Sequence, residues 1–322
     1  MQEQPLISVV IPNWNGVHHL PVCLDSLRKQ TYPHVELIVV DNASDDESLT
    51  LLETEYPEVR VIALDENRGF AGGVNAGIEA AEGEILAVLN NDTEADPQWL
   101  RELWKAMHDH PKAGSVTSKI LLFDQREIIN SAGDLYGTDG IPVNRGVWEE
   151  DTGQFDQLDR VFSPCGGACA MRRSMLEGLA SQGQKGPFDE DFFAYCEDVD
   201  LGWRGQLAGW ECLYVPTAVV YHRLSATGGG KIASYYTGRN FLYVLAKDYP
   251  SSLFKKYWWR ILLAQLRISW EALQAWRGEA ARARLRGQLQ GLWGLPRQLR
   301  KRRNIQSGRV VSDQYLESVL AK

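Results

Sequence analysis

Short apolar runs alternate with amphipathic stretches along the first third of the chain. Residues 7–11 (ISVVI) are continuously apolar, the pattern of a strand buried on both faces. Pro12 and the turn at 13–16 stop that run, and a helical pattern follows from about 18 to 30. Residues 36–40 (ELIVV) read as a second strand, closing on Asp41-Asn42-Ala43-Ser44. Asp45 and Asp46 then open a helix, where carboxylates favour the positive end of the dipole. A third strand at 59–64 precedes a helix from about 70 to 81, and a fourth at 85–89 precedes a helix from about 97 to 108. This order predicts an α/β fold with a mostly parallel sheet, covered on both faces by helices.

The middle of the chain differs. Residues 128–148 hold short β-like pieces broken by Gly133, Gly137, Gly140 and Gly146, which predicts a hairpin or flap. Residues 165–171 (CGGACAM) are small enough for a backbone to approach a ligand closely. A helix is predicted over 197–207 with Gly209 as its stop, then short strands at 212–215 and 218–221. Beyond Lys231 the pattern is helical to about 295, with breaks near Pro250 and Gly278. The chain is thus expected to divide into residues 1–230 and a C-terminal helical region, 231–322.

Charge sharpens that division. Residues 255–303 carry 13 Lys/Arg against 2 Asp/Glu, a net of +11, so with a formal total of −8 the rest carries about −19. An acidic body suits chemistry; a basic tail suits electrostatic attachment. The tail also sets Trp258, Trp259, Trp270, Trp276 and Trp293 among Arg and Leu, a pairing that favours a membrane interface. A packed helical appendage or a contact between copies in an oligomer is the other reading. No recognition motif supports nucleic acid. No apolar run reaches the roughly 18 residues of a spanning helix, and no secretory signal is expected. The five cysteines are scattered; Cys165 and Cys169 lack a second Cys/His pair nearby, so buried thiols in a reducing compartment are expected rather than zinc.

Ligands bind open α/β sheets beyond the carboxyl ends of the strands. Residues 13–15, 41–44, 67–73 and 90–92 all fall there. Asn67-Arg68-Gly69-Phe70-Ala71-Gly72-Gly73 looks like a phosphate-cradling turn, although its spacing fits neither GxGxxG nor the P-loop. Arg68 suits a diphosphate. Asp92 follows a buried strand and could cap the next helix or hold a divalent cation against phosphate oxygens. Glu197, Asp198 and Asp200 are either acids of a helix's first turn or the source of a general base. His222 ends an apolar strand, and Asp92 makes a metal role attractive for it. Trp14, Trp148 and Trp203 are core residues or stacking platforms.

The chain resembles a family 2 glycosyltransferase of the GT-A fold, close to the bacterial rhamnosyltransferase-like group. The carrying motifs are SVVIPNWNG (8–16), ELIVVDNASDD (36–46), NRGFAGGVNAG (67–77), LNNDT (89–93) and FFAYCEDVDLGWR (192–204). The resemblance runs from Ile7 to about Thr227, about two thirds of the 322 residues. It implies inverting transfer of a sugar from a nucleotide diphosphate to an acceptor hydroxyl. Pro12, Asn13, Asn15, Asp41, Asn42, Asn67, Arg68, Gly69, Gly73, Asn75 and Asn91 would then line the nucleotide-sugar site. Asp92 matches the last carboxylate of the family's DxD signature, which binds Mg²⁺ or Mn²⁺, and His222 matches a histidine that completes the metal site in some relatives. Asp198 matches the acid proposed as general base, with Glu197 and Asp200 supporting it or binding the acceptor. The DxD position reads Asn90-Asn91-Asp92, with a single carboxylate, which predicts weaker metal affinity.

These readings predict an enzyme at the inner face of the cell membrane, cytoplasmic and peripheral. It would move a sugar, with rhamnose from a dTDP donor as the leading choice, to a lipid-linked or growing polysaccharide. A sugar-nucleotide nucleotidyltransferase is disfavoured because Pro12-Asn13-Trp14-Asn15-Gly16 stands where a Gly-rich basic loop belongs. A non-catalytic membrane scaffold is the other alternative, and the acidic cluster at 197–200 argues against it.

Overall fold

The structure, a computed structural model, describes residues 4–180, 186–223 and 230–322. Thr227, where the resemblance was expected to end, lies outside the described residues. The first alternation gives β1 (Ile7–Asn13), α1 (Leu20–Arg28), β2 (Val35–Asp41), α2 (Ser48–Glu55), β3 (Arg60–Ala63), α3 (Gly69–Ala80) and β4 (Ile85–Leu89). Strands β4, β1, β2 and β3 lie side by side, all parallel.

There follow β5 (Thr93–Ala95), α4 (Trp99–Asp109), β6 (Ala113–Leu122), β7 (Ile129–Ser131), β8 (Asp134–Tyr136), β9 (Pro142–Asn144), β10 (Asp159–Val161), β11 (Ala168–Arg172), α5 (Arg173–Ala180), a short 3₁₀ turn at Glu190–Phe192, α6 (Glu197–Leu207) and β12 (Glu211–His222). The sheet continues past β4 as β11, β6, β12 and β10, for ten strands in all with β5 and β7 at its side. β11 runs against both β4 and β6, so β6 and β12 keep the direction of the first four strands. The flap expected around 128–148 contains the antiparallel pair β8–β9.

Three local expectations change. β6 is absent from the hydrophobic pattern because AGSVTSKILL mixes polar and small residues, yet all ten are buried. Its Lys119 is tolerated there because Asp151 and Asp156 receive the ammonium at 2.8 and 2.7 Å. The two short strands expected at 212–215 and 218–221 are one strand, β12, with an irregularity between Val215 and Val219. Asp92 is not a helix cap: β5 comes next, and α4 has Gln98 at its N-cap.

The sheet has a core on each face, as continuous apolar strands require. Along β1, Val9 and Ile11 join Leu20, Leu24, Trp99 and Leu103, while Val10 joins Val40, Val74, Leu86 and Met171. A third cluster lies under α6. Trp203, fully buried and so a core residue rather than a stacking platform, packs its ring 4.8 Å from Phe162, 5.0 Å from Tyr136 and 5.4 Å from Tyr249. Tyr249 follows α7 (Lys231–Lys247), and the same cluster includes Leu253 and Ile261 of α8 (Ser251–Gln274), Ile305 of α9 (Glu279–Ser307) and Leu316 of α10 (Asp313–Val319). The C-terminal helices therefore share a core with the sheet domain. α9 runs through Pro296, beyond the helix end expected near 295.

α7 and α9 pack at close range because glycines line the seam. A Cβ on Gly287 would stand 2.0 Å from the Tyr235 carbonyl oxygen, and one on Gly294 would stand 2.2 Å from the Tyr243 hydroxyl. α8 and α9 turn many apolar side chains outward among basic ones: Trp258, Trp259, Leu262, Leu263, Leu266, Trp270 and Leu273 on α8, and Leu289, Leu292, Trp293 and Leu299 on α9, are all exposed, as are Arg267, Arg286 and Arg300.

Candidate active site

The carboxyl ends of β1, β2 and β4 meet at one edge of the sheet. Asn13 and Asp41 are register partners there. Asn13 Nδ2 donates to Asp41 Oδ1 at 3.0 Å, and Asn91 Nδ2 donates to Asn13 Oδ1 at 2.7 Å. The Ser44 hydroxyl donates to Asp41 Oδ1 at 2.6 Å and its N–H to Oδ2 at 2.9 Å. Asn13, Asp41 and Asn91 are thus buried and mutually bonded; they shape the rim of the site. Asn15 is exposed in a left-handed conformation beside exposed Trp14, with Pro12 half-buried behind them.

Asn67, Arg68 and the first turns of α3 sit against this rim. Asn67 Oδ1 accepts the Gly69 N–H at 2.8 Å, which turns the chain into α3. Gly69 has φ +70°, and a Cβ there would strike the Phe193 carbonyl at 2.4 Å. Gly73 lets Asn42 lie against α3, where a Cβ would stand 2.5 Å from the Asn42 amide nitrogen. Asn42 Nδ2 donates to the Gly69 carbonyl at 3.3 Å, and its Oδ1 accepts the Arg68 N–H at 3.3 Å. The Arg68 guanidinium pairs with Glu190 at 2.6 Å. Asn75 is buried and exchanges both amide bonds with the Phe188 backbone, at 2.8 and 3.0 Å, so it anchors the segment leading to Glu190.

Asp92 and His222 are 130 positions apart in the chain and face each other because β5 pairs with β12, with His222 opposite Thr93. His222 Nε2 lies 3.2 Å from Asp92 Oδ1. That oxygen is buried and accepts no hydrogen bond among the described residues. The other ring nitrogen, Nδ1, is 2.9 Å from Asn130 Oδ1. With the proton on Nδ1 bonding Asn130, the Nε2 lone pair faces the Asn90 amide nitrogen at 3.4 Å as well as the Asp92 carboxylate, and a cation shared by Nε2 and Oδ1 would relieve the second contact. The donor set, one carboxylate oxygen and one imidazole nitrogen, fits Mg²⁺ or Mn²⁺ completed by phosphate oxygens and water. Among the described residues no group of three or more His, Cys, Asp and Glu gathers as a full cage.

The acidic residues at 197–200 divide their work. Asp200 is fully buried and pairs with Arg204 at 2.7 Å and with Lys247, so it holds the fold and does not face an acceptor. Glu197 is buried, and its Oε2 has no hydrogen-bond partner among the described residues. Burial, then the charge of Asp198, pushes the Glu197 carboxyl well above the usual range. Asp198 is half-buried. Burial raises it too, but the N–H groups of Gly166 and Val199, each at 2.8 Å, favour its charged form. Burial thus raises both carboxyls; two backbone N–H groups oppose the rise at Asp198, whereas Glu197 Oε2 has no hydrogen-bond partner among the described residues.

Asn130 and Glu190 belong to this constellation and stand in none of the motifs, whereas Ser44 and Gly166 lie in stretches the sequence marks without being singled out there. Asn130 reaches His222 only because β7 and β12 both flank β6.

The family model Glycosyl transferase family 2 matches residues 8–179, more than half of the chain. The protein belongs to glycosyl transferase family 2. It is 29% identical over 280 residues to an N-acetylglucosaminyl-diphospho-decaprenol L-rhamnosyltransferase of Mycobacterium tuberculosis, covering 79% of this chain and 87% of the relative. It is 30% identical to the O-antigen biosynthesis protein RfbC of Myxococcus xanthus, covering 69% of this chain and 18% of that one. Among solved structures, a mannosyltransferase from Pyrobaculum calidifontis in complex with GDP-Man and Mn²⁺ superposes with a TM-score of 0.55 at 18% identity, covering 95% of this chain and 86% of that one. GalNAc-T7 with UDP, GalNAc and Mn²⁺ gives a TM-score of 0.60 at 20% identity, covering 76% of this chain and 48% of that one. The fold is GT-A, and the chain is a glycosyltransferase.

Proposed function

We propose that the enzyme transfers a sugar, with inversion, from a nucleotide diphosphate to a hydroxyl of a lipid-linked or glycan acceptor in cell-surface glycan synthesis. The observation that carries this reading is Asp198: a half-buried carboxylate held by two backbone N–H groups, on a segment touching the 67–71 loop. An acceptor hydroxyl is a poor nucleophile until a carboxylate removes its proton. Displacement from the face opposite the leaving diphosphate inverts the anomeric carbon. On the donor side, residues 67–75 at the start of α3 and the rim of Pro12, Asn13, Asn15, Asp41, Asn42 and Asn91 would hold the nucleotide. Arg68 would exchange Glu190 for the diphosphate, a charge-assisted fork–fork contact. Asp92 and His222 would hold Mg²⁺ or Mn²⁺, which when bound offsets the charge that develops on the leaving nucleoside diphosphate. A dTDP-rhamnose donor is the first choice because of the likeness to the mycobacterial rhamnosyltransferase.

The acceptor would meet the enzyme at a membrane surface. No described helix is long and apolar enough to cross a membrane. The exposed Trp and Leu face of α8, flanked by Lys256, Arg260 and Arg267, supports an in-plane attachment to anionic lipid at the inner face of the cell membrane. The first test is thermal stabilisation by dTDP-, UDP- and GDP-sugars with and without Mn²⁺, since a ligand bound by the folded state alone raises the melting temperature. A metal-dependent shift with one nucleotide supports the site; no shift with any donor counts against the enzyme reading as drawn.

A further inference from the structure

The segment that delivers Glu197 and Asp198 is strained. Phe193, Tyr195 and Cys196 have φ of 63°, 68° and 67°, a region that side-chain-bearing residues avoid. Such a conformation persists only where its surroundings over-determine it, and here the surroundings come from α7. Asn240, fully buried, aims its amide nitrogen at three carbonyl oxygens of this segment: Phe192 at 3.1 Å, Ala194 at 2.9 Å and Tyr195 at 2.6 Å. Arg239 donates to the carbonyls of Asp191 at 2.7 Å and Phe192 at 2.6 Å, and its Nε donates to Asn240 Oδ1 at 2.8 Å, which fixes the amide's orientation. One turn earlier, Tyr236 stacks on Phe193 with ring centroids 5.2 Å apart.

We propose that Arg239 and Asn240 are positioning residues of the active site: α7 clamps the carbonyls of Asp191, Phe192, Ala194 and Tyr195 and so sets where Asp198 stands. The inference rests on the reading of Asp198 as the base. The clamp reaches the donor side as well, because the Phe193 carbonyl accepts the Ala71 N–H at 3.1 Å. The strained loop is held between α7 and the start of α3, so loss of one support frees it towards ordinary negative φ. A displacement of about 1 Å in a catalytic group is enough to slow chemistry by about a hundredfold. The C-terminal helices would then be part of the catalytic machinery, beyond any role in attachment.

The test uses the full chain and three variants: Asn240→Ala, Asn240→Ala combined with Cys196→Gly, and Arg239→Lys. Hydrogen exchange is read on peptides covering 190–200 and on peptides from β1, β2 and β4. For Asn240→Ala the expected result is a rise of about tenfold or more in exchange over 190–200, with the sheet peptides unchanged. Glycine adopts positive φ without a clamp, so Cys196→Gly should reverse part of that rise. Turnover with the donor found by the thermal screen should fall about tenfold or more in kcat, with donor Kd within about twofold, and the double variant should regain part of it. If Asn240→Ala does not fold, Arg239→Lys should give the same local pattern at smaller amplitude. Unchanged exchange over 190–200, or a rise spread evenly across the sheet, overturns the proposal. So does a double variant no better than the single one. Asp198→Asn, assayed alongside, separates the two ideas: normal turnover there sinks the base assignment while the exchange data still judge the clamp.

Discussion

Glu197 and Asp198 are neighbours in the chain and differ in environment. Glu197 is buried, with an orphaned oxygen, and Asp198 is bonded to two backbone N–H groups. Asp198→Asn should keep donor binding and lose transfer by about a hundredfold or more, measured as kcat against donor Kd. The pH dependence has a definite sign. Burial raises the Asp198 carboxyl, and the base must be ionised to act, so activity falls as pH drops through that raised value. The acid limb of a rate–pH profile should therefore lie above the ordinary aspartate value of about 3.9, and Asp198→Asn should abolish it. At the proposed metal site, His222→Ala would leave Asp92 as the one proposed protein ligand. The melting-temperature increment that Mn²⁺ adds to a bound nucleotide should disappear in this variant, while the nucleotide's own increment persists.

Among the elements, the α7–α9 seam and the α8 face behave oppositely to substitution. Gly287 lies against the Tyr235 carbonyl with no room for a Cβ. Gly287→Val should cost about 1–3 kcal/mol, read by urea denaturation, because the helices must separate. The α8 face is about half exposed and its tryptophans and leucines lie outside the core clusters, so changes there should cost little stability. Replacing Trp259, Leu263 and Trp270 by Ser should remove flotation with anionic phosphatidylglycerol vesicles, with the thermal midpoint held within a few degrees. Retained flotation would sink the membrane reading of this helix.

For the whole molecule, the acidic segment and the C-terminal helices are joined by a buried ionic network. Asp189 pairs with Lys247 and with Lys301 at 2.6 Å, and Asp191 also pairs with Lys301 at 2.6 Å. Burial by itself would raise the Asp189 carboxyl; the Lys247 and Lys301 ammonium groups outweigh it and hold it well below the ordinary range. A depressed carboxyl contributes stability that is complete above its unfolded value, about 3.9, and lost as pH falls towards the folded one. Lys247→Met should thus destabilise the protein by about 3–5 kcal/mol at neutral pH and flatten its acid unfolding profile below about pH 4. The shared aromatic core has a parallel consequence. A chain ended at residue 230 exposes the Trp203 cluster and should lose its cooperative thermal transition in scanning calorimetry.

Sequence by itself determined the alternation of β1 to β4 and the helix α4, though not β5 between them, the strand-end placement of Asn13, Asp41 and Asp92, and the helix start at Glu197, because each depends on local period, turn residues or a strand's end. It also carried the family, through motifs read in order. Tertiary structure alone decided the rest. β6 escaped the pattern because its polar residues are satisfied by partners far along the chain, as Lys119 is by Asp151 and Asp156. The meeting of Asp92 with His222 depends on the β5–β12 register, and the His222–Asn130 bond on two strands sharing β6 as neighbour. Asp200 looked like a site acid until Arg204 and Lys247 enclosed it. For the tail the sequence left membrane attachment and a packed helical appendage both open; the structure packs it, and α7 supplies the bonds that hold the 192–195 segment in its strained form. Those decisions turn on which distant groups satisfy a buried polar atom, and no periodicity along the chain encodes that.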